Sequence, residues 1–214
     1  MTPERVVSLP TLEFERSLWN DRFTRIAGVD EAGRGAWAGP VCAAAVILPN
    51  DPNIARVLFR VRDSKQMTPL ERERWAPSIR NIALGWGVGF ASEGEIDALG
   101  IVPATKLAAT RALESLSPDY LLTDALLFRE IELPQTSLIK GDQRSLSVAA
   151  ASVLAKISRD ERMRELDGKY PGYCFAQHKG YGTLLHRQAI QRLGACKIHR
   201  MSFAIFPAEN HAQL

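Results

Sequence analysis

The sequence predicts a mixed β-sheet flanked by helices, an α/β or α+β fold, and three observations predict it. Three apolar, strand-sized runs come early; strand and helix patterns then alternate; the chain closes on helix patterns alone. No internal repeat, low-complexity tract or linker interrupts this order. One domain is therefore expected over 24–204, preceded by an N-terminal arm at 1–23 and followed by a tail at 205–214.

In the arm, Thr11 reads as the cap of a short helix, with Glu13 and Glu15 near its positive end and Phe14, Leu18 and Trp19 along one side. Residues 26–30 form a short buried strand. The turn Gly33-Arg34-Gly35 follows, then a second strand over 41–48, which Pro49 and Pro52 bring to an end. Strands joined this closely should pair antiparallel. Thr68-Pro69-Leu70-Glu71 supplies a cap, a proline and an acid to open a helix over 69–84. A third strand is expected at 85–91. A helix over 104–116 follows from Leu107, Ala108, Ala112 and Leu113 at helical spacing. The strand at 120–123 runs into Asp124, and another at 136–140 follows Pro134. The long helix at 146–166 is apolar nearly all round in its first half, which must be buried, and charged in its second, which faces water. A last helix over 184–193 stops at Gly194.

The chain has 214 residues, 46% hydrophobic and 24% charged, enough to bury a core without staples. This excludes a disordered or fibrous chain. The longest apolar stretch, from Pro40 to Pro49, falls short of the roughly 18 residues of a membrane span. The start of the chain shows no signal-peptide pattern. Cys42, Cys174 and Cys196 are odd in number and widely spaced, which argues for a reducing compartment and leads us to expect a cytoplasmic location. No Cys/His cluster has zinc-finger spacing.

Net charge is +3 but unevenly spread: residues 140–200 carry a local net of +7 and the rest of the chain −4. From 168 to 208 there is no acid. Lys169, Lys179, Arg187, Arg192, Lys197 and Arg200 alternate there with Tyr170, Tyr173, Phe175, Tyr181, Phe203 and Phe206. That mixture suits nucleic acid, a polyanion with stackable rings, although a solvated basic face over core aromatics has the same pattern.

The acids carry the chemistry. Asp30 and Glu31 lie where one apolar strand ends, Asp124 where a second ends, and Asp142 just after a third. Singly, each is an ordinary turn or cap residue. As a set gathered at one sheet end, they are hard oxygen ligands suited to Mg²⁺ or Mn²⁺, and two such ions serve in-line attack on a phosphodiester. Adjacent strand residues face opposite ways, so bringing Asp30 and Glu31 to one site requires a bulge or a strand end. Gly33-Arg34-Gly35 allows close backbone approach to a ligand, with an arginine at hand for phosphate.

These residues resemble a known family. Gly28-Val29-Asp30-Glu31-Ala32-Gly33-Arg34-Gly35 with Ala38-Gly39-Pro40-Val41 is similar to the N-terminal signature of bacterial ribonuclease HII, the type 2 RNase H. Further matches follow in the family's order: Asp63-Ser64-Lys65, Asp124, Lys140-Gly141-Asp142, and Ala149 to Lys156 with Arg159-Asp160. Phe175 to Tyr181 and His199-Arg200-Met201-Ser202-Phe203 complete them. The likeness spans roughly 24–204. One departure is Ala125, where many members have glycine.

The resemblance implies an α/β, RNase H-like fold: a mixed five-stranded sheet flanked by helices, with additional C-terminal helices that bind substrate. It implies a metal-dependent endoribonuclease that cleaves RNA in RNA–DNA hybrids. It also implies nicking 5′ to single ribonucleotides embedded in duplex DNA, leaving 3′-hydroxyl and 5′-phosphate ends. By position, Asp30, Glu31, Asp124 and Asp142 match the catalytic acids that hold two Mg²⁺ or Mn²⁺ ions. Gly33, Arg34 and Gly35 match the loop at the ribose 2′-hydroxyl and its phosphates, and Tyr181 matches the tyrosine under the neighbouring deoxynucleotide sugar. Lys65 resembles a phosphate-contacting lysine. A monomer acting on hybrid or ribonucleotide-containing duplex, without a membrane, is expected. His178 and His199 are expected to be scaffold, Cys42 core, Asp63 a loop-ordering residue, and Lys156 and Asp160 helix surface or a support pair.

Overall fold

The computed structural model describes residues 9–204, so the tail expected at 205–214, Phe206 and the first eight residues of the arm lie outside the described residues. The strands are β1 (Ile26–Ala32), β2 (Val41–Ile47), β3 (Gly85–Ala91), β4 (Tyr120–Asp124) and β5 (Gln135–Leu138). They form one sheet in the order β3-β2-β1-β4-β5. β1 pairs antiparallel with β2, and β2 with β3; β1–β4 and β4–β5 are parallel. The sheet is therefore mixed and the fold α/β.

Helices α1 (Glu13–Asn20), α2 (Ile54–Val57), α3 (Pro69–Ile82), α4 (Glu93–Leu99), α5 (Ile101–Leu113), α6 (Leu146–Lys169), α7 (Phe175–His178) and α8 (Leu184–Leu193) surround it. β2 is buried along its whole length, because both sheet faces are covered. Ala44 and Val46 pack with Ile79 of α3 and with Ala150, Val153 and Leu154 of α6. Ala43 and Ala45 pack on the other face with Ala108 and Ala112 of α5. Small side chains let the helices sit close. At Gly28 a Cβ would lie 2.2 Å from the Ser147 carbonyl carbon, so only glycine lets the start of α6 rest on β1.

Several boundaries differ from expectation for local reasons. The helix expected over 104–116 runs from Ile101 to Leu113, because Gly100 at φ 84° separates it from α4 and starts it early. α4 itself was not expected, although Ser92 and Glu95 form its capping box. α2 and α7 are single turns too short for a periodic signal. β5 lies at 135–138, not 136–140, and Lys140 in the left-handed region turns the chain after it. Leu12, not Thr11, holds the cap place of α1 and has no side-chain cap bond, but Thr11 Oγ1 still accepts the Glu13 N–H at 3.3 Å. Thr11 also bridges to Ser145, its N–H donating to the Arg144 carbonyl at 3.0 Å. α1 thus docks beside the start of α6, with Phe14, Leu18 and Trp19 against Ile26, Leu122, Leu138 and Val148.

Candidate active site

β1, β4 and β5 point the same way, and their carboxyl ends carry the acids. In open α/β sheets this is where ligands bind. The pairing of β1 with β2 continues without a skip to Ala32↔Cys42, so no bulge separates Asp30 from Glu31. The ladder between β1 and β4 stops at Val29↔Thr123. β1 itself runs on beside β2 to Ala32, so neither the expected bulge nor a strand end falls at Asp30 and Glu31; only the β4 side of the strand is released there, and both acids feel the charge of Asp124. Asp142 arrives on the 3₁₀ turn Gly141–Gln143 after β5. The Gly141 N–H donates to Asp124 Oδ1 at 2.8 Å, tying that turn to β4. Ala125, at φ 53°, occupies the left-handed turn after Asp124, and its N–H donates to the Leu138 carbonyl.

The electrostatics show what this convergence costs. Burial, then the charges of Glu31, Asp124 and Asp142, push the Asp30 carboxyl well above the usual carboxylate range. Burial also raises Glu31, against the pull of Arg34, whose Nη1 lies 3.0 Å from Glu31 Oε1. Asp142 is raised to about 7 by burial and by the charges of Asp63 and Asp124, with Lys65 opposing. Lys65 Nζ stands 3.9 Å from Asp142 Oδ2. Burial alone would lower this lysine, but Asp30, Asp63, Asp142 and Asp124 together raise it.

Among the described residues no three His, Cys, Asp or Glu side chains are already closed around one point. The donor chemistry nevertheless fits a hard divalent cation. The donors are carboxylate oxygens, they repel one another, and the buried Asp30 gains most from a neutralising positive charge.

Beside the acids opens a cleft of about 320 Å³ lined by Glu31, Gly33, Arg34, Gly35, Lys65, Lys156 and Tyr181. The structure thus brings the turn, the 63–65 loop and Tyr181 together from three distant parts of the chain. Lys156, expected on the helix surface or in a support pair, does pair with Asp160 at 2.6 Å. It also lines the cleft, with Nζ 5.8 Å from the Tyr181 ring centroid, which one sequence gives no means of seeing. Asp63 Oδ1 accepts the Lys65 N–H at 2.9 Å and so shapes that loop. A larger cleft of about 750 Å³ lies between β3 and α6, lined by Glu93, Glu95, Glu161 and Glu165 with Arg111 and Arg162, away from the four acids.

The basic-aromatic segment divides. Lys169, Arg187, Arg192 and Lys197 are exposed, but Arg200 is fully buried and does not belong to a phosphate-facing surface. Tyr173 and Phe175 stack on each other in the core, ring centroids 5.2 Å apart, and offer nothing to a base. His178 is scaffold: its Nε2 meets the Tyr173 carbonyl at 2.7 Å and its Nδ1 accepts the Gly180 N–H at 3.1 Å, ordering the approach to Tyr181. His199 bonds His186 through Nε2 at 3.1 Å.

Comparison with known proteins agrees with this geometry. The family profile described as ribonuclease HII matches residues 27–206. A ribonuclease HII from Synechococcus sp. is 52% identical over 198 residues, covering 91% of this chain and 88% of the relative. One from Chloroflexus aurantiacus is 50% identical over 200 residues, covering 91% and 93%. Among solved structures, the RNase HII of Archaeoglobus fulgidus in its complex with PCNA superposes with a TM-score of 0.72 at 28% identity, covering 84% of this chain and 95% of that one.

Proposed function

The chain belongs to the ribonuclease HII family and is an endoribonuclease; we propose that it cuts the RNA strand of RNA–DNA hybrids and nicks duplex DNA 5′ to a lone ribonucleotide. The products are a 3′-hydroxyl and a 5′-phosphate. The observation that carries this reading is the convergence of Asp30, Glu31, Asp124 and Asp142 at the ends of three parallel strands, beside a cleft lined by Gly33, Arg34, Gly35 and Tyr181.

The four acids would hold two Mg²⁺ or Mn²⁺ ions. The chemistry such a pair supplies is a water acidic enough to attack phosphorus and charge stabilisation at the leaving 3′-oxygen. The chain's own residues do the rest. Glycine backbone at 33 and 35 approaches the ribose 2′-hydroxyl, the one group that separates RNA from DNA at a given nucleotide. Tyr181 packs under the neighbouring deoxyribose, so loop and tyrosine together read an RNA-to-DNA junction. Arg34, Lys65 and Lys156 face phosphates, and exposed Lys169, Arg187, Arg192 and Lys197 hold the duplex without reading sequence. We assign catalysis to one domain at 24–204, active as a monomer in the cytoplasm; among the described residues no helix is long and apolar enough to cross a membrane.

The test is a duplex DNA containing one ribonucleotide, with the cut mapped and both ends identified in Mg²⁺ and in Mn²⁺. A single nick on the 5′ side is expected. Cleavage confined to long RNA tracts would leave the family's ribonuclease activity but remove the junction reading.

A further inference from the structure

Among the described residues, Arg159 and Arg200 are the two largest fully buried side chains. Burying a cation without a counter-ion is costly, and the hydrogen bonds of both go to main-chain carbonyls. Arg159 donates to Pro40 O at 3.0 Å, Ala38 O at 3.2 Å and Lys179 O at 2.8 Å. Arg200 donates to Gly39 O at 2.9 Å and Arg34 O at 2.8 Å, its own N–H donates to the Trp37 carbonyl, and its Nη2 has no partner among the described residues. Two adjacent guanidiniums therefore grip the 34–40 segment from beneath. Arg159 also reaches the chain two residues before Tyr181 and lies 5.3 Å from that ring's centroid.

The bond to the Arg34 carbonyl has a directional consequence. The described backbone holds no cis peptide. In a trans peptide the C=O and the following N–H point in opposite directions. Arg200 draws the Arg34 carbonyl inward, so the Gly35 N–H is turned outward, toward the cleft that Gly35 lines. Gly35 itself is exposed, and a Cβ on it would meet nothing within 4 Å.

We infer that Arg200 is a positioning residue for ribose recognition: by holding the Arg34 carbonyl it aims the Gly35 N–H at the sugar, and Arg159 keys Tyr181 to the same loop. This rests on the reading that the Gly33–Gly35 turn contacts the 2′-hydroxyl.

Steady-state nicking of a duplex with one ribonucleotide by Arg200→Lys and Gly35→Ala tests it. Lysine keeps the charge but cannot fork to both carbonyls. R200K should lose at least about tenfold in kcat with KM within about threefold, because the duplex is still held and only the sugar is misplaced. Its melting shift on adding Mn²⁺ should match that of the unmodified protein. Unchanged kcat overturns the inference, and so does a loss that travels with a lost Mn²⁺ shift, which marks general unfolding. If G35A nicks normally, the underlying reading of the turn fails; if G35A is impaired and R200K is not, only the role of Arg200 fails. A measurement on the unmodified protein needs no variant: in Ca²⁺, the Gly35 amide resonance should move further with a ribonucleotide-containing duplex than with the all-DNA duplex. Equal movement overturns the proposal.

Discussion

Asp124 Oδ1 accepts the Gly141 N–H at 2.8 Å, so the acid at the end of β4 also fixes the turn that presents Asp142. Asp124→Asn separates these two jobs. Asparagine retains the carbonyl acceptor and loses the charge. Melting temperature should stay within about 3 °C of the unmodified protein, while nicking in saturating Mg²⁺ falls by at least about 100-fold. Residual nicking within about tenfold would take Asp124 out of the chemistry.

Gly33 and Gly35 should part company on substitution. Gly33 has φ +93°, and a Cβ there would lie 1.8 Å from Arg159 Nε, a buried group with nowhere to go. Gly33→Ala should cost roughly 2 kcal/mol or more in denaturant unfolding. Gly35 has open space around its missing Cβ. Gly35→Ala should unfold within about 0.5 kcal/mol of the unmodified protein yet lose roughly 100-fold in kcat/KM on a single ribonucleotide, because the methyl meets the ligand alone. Equal stability losses in the two variants would contradict this account of the turn.

The strands were legible because apolar runs bounded by glycine and proline have few other readings, and the cap at Thr68 was legible because Glu71 completes it. The same pattern at Ser92 and Glu95 opens α4. Each acid could be found at a strand end, but their meeting could not be derived locally. It depends on β4 entering the sheet beside β1 on the side away from β2, a crossover that brings Asp124 to Asp30 from 94 residues away. Long-range burial hides other roles from the sequence. Arg159 and Arg200 look like surface charges in a basic segment, and only the carbonyls of the 34–40 segment and Lys179 make their burial possible. Lys156 forms the support pair with Asp160 that its sequence allows, but its place in the cleft exists only because Tyr181, 25 residues later, folds back against it.

Glu15 joins the arm to the catalytic core. It is buried, and its Oε1 accepts from Ser145 Oγ at 2.6 Å, Ser147 N at 2.9 Å and Ser147 Oγ at 2.6 Å, at the amino end of α6 where a negative charge is favoured. Glu15→Ala removes the shared acceptor of three buried donors, of which the Ser145 and Ser147 hydroxyls can still bond each other at 3.1 Å, and should cost about 2–3 kcal/mol, roughly 5–10 °C in melting temperature. Glu15→Gln, which keeps an acceptor, should lose less. An alanine variant that melts within about 1 °C of the unmodified protein would show that α1 contributes little to holding α6.

His186 and His199 set a pH limit on the C-terminal layer. The Cys196 N–H donates to His199 Nδ1 at 2.8 Å, which leaves the proton of a neutral His199 on Nε2. That nitrogen lies 3.1 Å from His186 Nε2, which must then accept, so the His186 proton sits on Nδ1 and reaches the Tyr181 carbonyl at 3.0 Å. The chain of donors closes only when both rings are neutral, since a proton on His186 Nε2 would face the one on His199. Burial, then the charge of His178, hold His186 down to about 4, and burial holds His199 down to about 4. Unfolded imidazoles bind protons below about 6.5. Between that value and about 4 the unfolded state carries more protons, so this contribution to stability rises with pH. It is complete above about 6.5 and is lost as pH falls toward about 4, on the order of 2–3 kcal/mol for each ring. The raised carboxyls of Asp30, Glu31 and Asp142 titrate with the opposite sign, so a melting curve alone mixes the two effects. Imidazole NMR shifts followed from pH 8 to pH 5 separate them. Both rings should stay neutral throughout, and either one titrating near 6.5 in the folded protein would break the proposed line of donors to Tyr181.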